Sequence, residues 1–331
     1  MHMKNNFIKA VFLALGSALF AGCATTVSAP AFTKFTLAVQ AVKPDETRAA
    51  WMPLVDDMAK KLGVPTTLIT ASQSEVVAAL RTGQADVVWL SSSAAIDAVT
   101  QAGGEAFALY YNVNGTNGYK GIVITRSDSG ITTLEQALTP GQYSYASGAK
   151  TSTSGYVLPQ HFLFNERKTT PEALFKSVVY GSHFDNLAAL WAGKVDVAVN
   201  NSTDTAVFQN TREPAAKDKL RVLWESPLVP NDVLMFRADA PEAMKAALRT
   251  FFLKTYGQTD AEKELYRKAS GIRNFLATDN RVLQPVSEFK LATERAGIQA
   301  NAKLSDAEKA MAQQKLDAQV DAFKRSLLTL K

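Results

Sequence analysis

Thr151-Ser152-Thr153-Ser154 sets four hydroxyl side chains in succession, directly before Gly155 and the apolar stretch Tyr156-Val157-Leu158-Pro159. Hydroxyls at the entrance of a helix donate hydrogen bonds in the same direction as its first backbone N–H groups. The partial positive charge of a helix N-terminus favours an anion there. A hydrogen bond to a charged group contributes about 1.5–3 kcal/mol, and micromolar binding needs about 8 kcal/mol. Four or five such donors therefore suffice for a small oxyanion, with no metal and no arginine clamp. The bland alternative is that one hydroxyl caps the helix and the rest are solvated loop, since a cap uses only one.

The elements that must position these side chains follow from the apolar pattern. Phe32–Gln40 alternates as a first strand, and residues 46–63 form an amphipathic helix with Trp51, Leu54, Val55, Met58 and Leu62 on one face and Gly63 as its stop. Thr66–Thr70 is a second strand, and strands alternate with helices to about residue 236, which predicts βαβ units and parallel sheets. "TSTSGYVLPQHFLF" follows the strand "QYSYAS" and opens a helix.

Two stretches repeat, "SQSEVVAALRTGQADVVWL" from Ser72 and "SHFDNLAALWAGKVDVAVN" from Ser182. Each is predicted to open with a capping box, Ser72 with Glu75 and Ser182 with Asp185. Each helix then stops at a glycine, Gly83 or Gly193, and an aspartate, Asp86 or Asp196, leads into a buried strand. The repeat predicts two related α/β lobes. Ligands of such sheets lie beyond the carboxyl ends of the strands. Gln73 and His183, which follow the capping serines, are therefore candidates, as are the polar rims Ser91-Ser92-Ser93 and Asn200-Asn201-Ser202.

Residues 118–128 and 221–237 are predicted to cross between the lobes and form a hinge. Helical patterns dominate after residue 241. The last opens at Ser305 with a capping box and carries the stripe Leu316, Val320, Phe323 and Leu327, which packs on the body or forms a homodimer.

Catalytic constellations are thin. No Gly-rich loop ends in Gly-Lys-Ser/Thr, and neither a Gly-x-Ser-x-Gly elbow nor a His-Glu-x-x-His motif occurs. With three histidines, one of them His2, no nucleophile, base and orienter form a set. The chain is expected to be no enzyme and to need no cofactor or metal. Trp89, Trp191 and Trp224 read as core, and His161 as packing or solvent-facing.

With 331 residues, 47% hydrophobic and 20% charged, the chain has room for two cores. No basic run accompanies the net charge of +5, so nucleic-acid binding is not expected. The first 23 residues pair Lys4 and Lys9 with a short apolar core and end in Leu19-Phe20-Ala21-Gly22-Cys23. This resembles the lipobox of bacterial lipoproteins, with Cys23 as the lipidated residue; the alternative is a plain secretory signal cut further on. Either reading predicts export. As the only cysteine, Cys23 leaves no internal disulfide and no thiolate metal site.

"STSGYVLP", "GSHFDNLAALWAGKVDVAVNNS", "WESPLVPND" and "WMPLVDDMAKKLGV" together resemble the substrate-binding proteins of phosphonate ABC importers, from about residue 35 to the C-terminus. The resemblance implies a type II periplasmic-binding-protein fold, two α/β lobes joined by two crossover strands with the ligand in the interlobe cleft. The expected division is a lipoprotein-type signal peptide at 1–22, a linker at 23–31, a first lobe at 32–122 and 233–331, and a second at 123–232. It also implies that Ser152, Thr153 and Ser154 hold phosphonate oxygens, that Tyr119 and His183 assist, and that Asp232 contacts the amino group of aminoethylphosphonate. From its neighbourhood alone, Asp232 would equally shape a turn, and Tyr119 after a glycine-rich turn would be exposed or core.

Two positions depart from the family's pattern. Gln73 stands where a tyrosine is usual, and the amine-binding glutamate falls near Thr203 or Asp204. Methylphosphonate or phosphite would need fewer carboxylates. The implied function is the periplasmic solute-binding component of an importer, which delivers a phosphonate to an inner-membrane ABC permease. The alternatives are a phosphite or phosphate binder, a binder of an amino acid or sulfonate on the same fold, and an exported phosphoester hydrolase.

Overall fold

The computed structural model describes residues 32–328; the leader, Cys23 and the 23–31 linker lie outside them. Among the described residues no helix is long and apolar enough to cross a membrane. The strands in chain order are β1 (Phe35–Gln40), β2 (Thr66–Ala71), β3 (Val87–Leu90), β4 (Glu105–Asn112), β5 (Gly118–Tyr119), β6 (Gly121–Arg126) and β7 (Ser144–Ser147). They continue as β8 (Ser177–Tyr180), β9 (Val197–Asn201), β10 (Leu220–Glu225), β11 (Val229–Pro230), β12 (Val233–Phe236) and β13 (Ile272–Ala277).

A six-stranded sheet runs β13-β4-β12-β3-β1-β2, and a five-stranded sheet runs β10-β6-β9-β7-β8. Each contains the same unit. β1 lies parallel between β2 and β3, with β12 antiparallel beyond β3. In the second sheet β7 lies parallel between β8 and β9, with β6 antiparallel beyond β9. Helices cover both faces, so neighbouring strand residues enter different cores. Leu37 and Val39 pack with Trp51, Leu54 and Met58 of the helix Pro44–Leu62, while Ala38 packs with Val76 and Leu80 of the helix Gln73–Arg81. Val123, Tyr145 and Val197 face one side of the second sheet, and Ile124, Ala146 and Ala198 the other.

The repeated motif does the same work in both lobes. Gly83 and Gly193 take left-handed backbone at φ +74° and +68°, where a side chain would be strained. Asp86 accepts the N–H of Thr36 at the start of β1, and Asp196 accepts both the N–H and the hydroxyl of Ser144 at the start of β7. The repeated aspartate thus ties the incoming strand to its neighbour.

The structure corrects several expectations. β1 begins at Phe35, where its pairing with Thr66 begins, not at Phe32. The capping box forms at Ser72 and Glu75, but at Ser182 the serine alone caps the N–H of Asp185. Asp185 is one methylene shorter than glutamate, and its carboxylate accepts from the Ser182 hydroxyl and from Lys43. The helix after the hydroxyl run is wound wide, with π-type turns over Thr153–Val157 and Gln160–Asn165. Between the lobes, among the described residues, only Gly118–Tyr119 and Val229–Pro230 pair as crossing strands. Pro230 has no N–H to extend the ladder, and a side chain at Gly118 would meet the Val229 carbonyl at 2.6 Å.

The C-terminal helix Asp306–Leu328 opens on the Ser305–Glu308 box. It buries Leu316 and Phe323 against the helices Ser92–Ala102 and Gln284–Ala300, so the stripe is spent on the body.

Candidate functional site

The carboxyl ends of β1, β3, β7 and β9, the first turns of the helices that follow, and the crossing strands enclose a cavity of about 600 Å³. Ser152, Thr153, Ser154, Tyr119, His183, Asp232, Gln73 and Asp204 all line it.

The hydroxyl run sits on the end of β7 because two glycine backbones touch. The Gly148 N–H donates to the Gly155 carbonyl at 2.9 Å, and a Cβ on Gly155 would stand 2.8 Å from Ser152 Oγ and 3.0 Å from Gly148 Cα. Each hydroxyl then meets a nitrogen. Ser152 Oγ accepts from the Gly155 N–H at 3.1 Å, and Thr153 Oγ1 accepts from the Ser93 N–H of the other lobe at 2.9 Å. Ser154 Oγ lies 3.2 Å from His183 Nε2. Burial holds the His183 pKa below its ordinary value, with Asp204 acting weakly the other way, so the ring is neutral near pH 7. With its proton on Nε2 it donates to Ser154. All three hydroxyls then have an acceptor position filled and a proton to give, those of Thr153 and Ser154 lying also within hydrogen-bond reach of the Tyr119 phenol. The Tyr119 phenol joins them: burial, then the charge of Asp232, push its pKa far up, and the Thr153 and Ser154 hydroxyls act against that. Tyr119 is thus a neutral donor.

The opposite end is acidic. Asp232 Oδ2 accepts from Trp89 Nε1 at 2.8 Å and Gln40 Nε2 at 3.0 Å. Burial is the main cause that raises its pKa to about 6; Asp204 adds to the rise, and the Trp89 and Gln40 hydrogen bonds oppose it. Asp204 stands in the first turn of the helix Ser202–Val207, where Asn201 Oδ1 accepts its N–H at 2.7 Å and Asn201 Nδ2 donates to its Oδ2 at 2.9 Å. Tyr110 on β4 packs at 5.3 Å from the Trp89 ring and also lines the cavity. Among the described residues no lysine or arginine lines it; Asp204 and Asp232 are its charged side chains. No group of three or more His, Cys, Asp or Glu among the described residues is placed to hold a metal.

Sequence reasoning missed Gln40, Tyr110 and Asn231 as lining residues. Gln40 closes β1, so the strand-end rule that found Ser91 would have found it too. Trp89 was read as core. It is buried there, and its indole N–H also reaches the cleft. His161 packs against Phe162 and Phe289.

Comparison with known proteins agrees with this architecture. A model of the family described as "ABC transporter, phosphonate, periplasmic substrate-binding protein" matches residues 38–283. The phosphonates-binding periplasmic protein of Escherichia coli (strain K12) is 30% identical over 277 residues, 83% of this chain and 81% of that protein. The crystal structure of a binding protein component of an ABC phosphonate transporter from Pseudomonas aeruginosa is 28% identical, with a TM-score of 0.75 over 89% of this chain and 98% of that one. A Prochlorococcus marinus protein solved with methylphosphonate has a TM-score of 0.67 over 78% of this chain and 97% of its own; at 16% identity the likeness is one of fold. The matched span, the two related lobes and the cleft between them agree: the chain belongs to the periplasmic substrate-binding proteins of phosphonate ABC transporters, a binding component and not an enzyme.

Proposed function

We propose that the protein captures a zwitterionic aminoalkylphosphonate, of the size of aminoethylphosphonate, and hands it to its permease. One observation carries this reading: neutral donors line one end of the cavity, two carboxylates line the other, and no cationic side chain among the described residues balances them. A bare oxyanion would leave the Asp204 and Asp232 charges uncompensated in a half-buried site, which is costly. A ligand that brings its own ammonium group pairs with them. Ser152, Thr153, Ser154 and Tyr119 donate to the phosphonate oxygens, with His183 orienting Ser154. Asp232, Asp204 and the Trp89 and Tyr110 rings receive the amine.

Titration calorimetry with aminoethylphosphonate, methylphosphonate, phosphite, phosphate and sulfate tests the reading. Aminoethylphosphonate is expected to bind at least about tenfold more tightly than methylphosphonate, the value of one charged hydrogen bond. Equal or tighter binding of methylphosphonate or phosphite would overturn it in favour of a simple oxyanion binder.

The same reading assigns 32–122 with 233–331 to one lobe and 123–232 to the other. It takes Cys23 as a lipid anchor that holds the protein in the periplasm beside its transporter. Labelling with a radioactive fatty acid, lost in the variant Cys23→Ala, checks the anchor.

A further inference from the structure

Gln40 stands at the last position of β1, on the first lobe's side of the cavity. Its amide makes hydrogen bonds of both kinds. Oε1 accepts from the backbone N–H of Ser91 at 2.9 Å and from Gln73 Nε2 at 2.8 Å, while Nε2 donates to Asp232 Oδ2 at 3.0 Å. A backbone N–H can only donate, so the Ser91 contact determines which end of the Gln40 amide is oxygen and turns its NH2 onto Asp232. Gln73 is oriented in turn, since only its NH2 can meet Gln40 Oε1, and it donates to Ser91 Oγ at 2.9 Å as well. The Trp89 indole, a donor only, ends on the same Asp232 oxygen at 2.8 Å. Two donors converge on Oδ2, and Oδ1 is left to meet a ligand.

We propose that Gln40 is a specificity-determining positioning residue: locked by Ser91 and Gln73, it occupies Asp232 Oδ2 and presents Oδ1 to the ammonium group of the ligand. This rests on the aminoalkylphosphonate reading above. The titratable groups that face Asp232 are Asp204 from the helix Ser202–Val207, Tyr110 from β4 and Tyr119 from β5. Burial keeps both tyrosines neutral, so Asp204 is the charge that opposes ionisation of Asp232, and the Gln40 and Trp89 donors favour it. Gln40 therefore sets both the direction of the carboxylate and the pH at which it becomes able to take a cation. It touches no group at the hydroxyl end of the cavity.

The test is a comparison of two ligands on the wild-type protein and Gln40→Met, which keeps the length of the side chain and removes both the NH2 that meets Asp232 and the oxygen that holds Ser91 and Gln73. Calorimetry at several pH values between about 5 and 8 spans the Asp232 titration. In the wild type, aminoethylphosphonate affinity is expected to rise relative to methylphosphonate as pH passes through about 6. In Gln40→Met that rise moves to higher pH, and at pH 7 aminoethylphosphonate binds about tenfold more weakly while methylphosphonate stays within about twofold. Retained methylphosphonate binding also shows that the variant is folded; Gln40→Leu provides the same comparison in a second background. Equal weakening of both ligands, or an unmoved aminoethylphosphonate profile, would overturn the role of Gln40. A wild-type protein that binds methylphosphonate with no preference for the amine would instead overturn the reading beneath it.

Discussion

The Thr153 hydroxyl accepts the N–H of Ser93 from across the cleft, so it joins the lobes, and in the proposed reading it also donates to the ligand. Thr153→Val keeps the shape and removes both roles. It leaves a buried N–H unpaired, so it should cost about 1–3 kcal/mol of stability as well as affinity, whereas Ser154→Ala removes a partner of His183, which lines the cavity, and should weaken ligand about tenfold with a smaller fall in melting temperature. Calorimetry and thermal melts on the two variants separate these effects. Asp232 makes a sharper case because its pKa rises on folding from an ordinary 3.8 to about 6. The folded protein therefore holds this proton more tightly than the unfolded chain. The stability it contributes is fully present below about pH 4 and is lost as pH rises through about 6, at most about 3 kcal/mol. Asp232→Asn is therefore expected to melt above wild type at pH 7 without ligand, to match it near pH 4, and to lose the preference for the amine. A variant less stable than wild type at pH 7 would contradict the burial argument.

At the level of elements, the order β2-β1-β3-β12 recurring as β8-β7-β9-β6 explains why Ser, an acid (Glu75 or Asp185), Gly and Asp recur in the repeat. Capping, a left-handed stop and the tie to the next strand are local demands, and local demands leave marks in sequence. Gln40 leaves none, because its role depends on Asp232, which lies 192 residues away in the chain. Trp89 is core, as read, but its bond to Asp232 left no mark for a related reason: a tryptophan in an apolar run looks the same whichever way its N–H points. The wide turns of the hydroxyl helix were also illegible, since "TSTSGYVLP" carries the same cap signals for either winding. The Gly148–Gly155 backbone contact lies at the first of these turns and gives an element-scale prediction. Gly155→Ala places a methyl group 2.8 Å from Ser152 Oγ and 3.0 Å from Gly148 Cα, and backbone cannot easily yield. The turn must move, at a cost of about 1–3 kcal/mol in stability. Phosphonate affinity should fall by at least about tenfold, since Ser152, Thr153 and Ser154 move together. Unchanged affinity by calorimetry would mean that the hydroxyls do not act as one preorganised set.

For the whole molecule, three of the contacts between the lobes bear on opening. Deep in the cleft, Ser93 N–H meets Thr153. At the back, Phe162 of the second lobe packs against Phe289 of the helix Gln284–Ala300, with ring centroids 5.0 Å apart. At the mouth, Lys43 just after β1 pairs with Asp185 of the helix His183–Trp191 at 2.9 Å. The first two contacts are buried or apolar. The Lys43–Asp185 pair joins one lobe to the other, and in the binding reading it parts when ligand leaves. It is exposed on both sides, with the Lys43 pKa raised by its hydrogen bond and charge contact with Asp185, so salt screens it. Lys43→Met is therefore expected to speed ligand release by about two- to fivefold at low ionic strength, a range typical of exposed pairs, with association nearly unchanged. The difference should vanish near 1 M salt, where screening acts over about 3 Å. Stopped-flow tryptophan fluorescence, with Trp89 lining the cavity, reads both rates. A dissociation rate unaltered by the substitution at low salt would mean that the mouth pair is incidental and that the hold on the ligand lies wholly within the cleft.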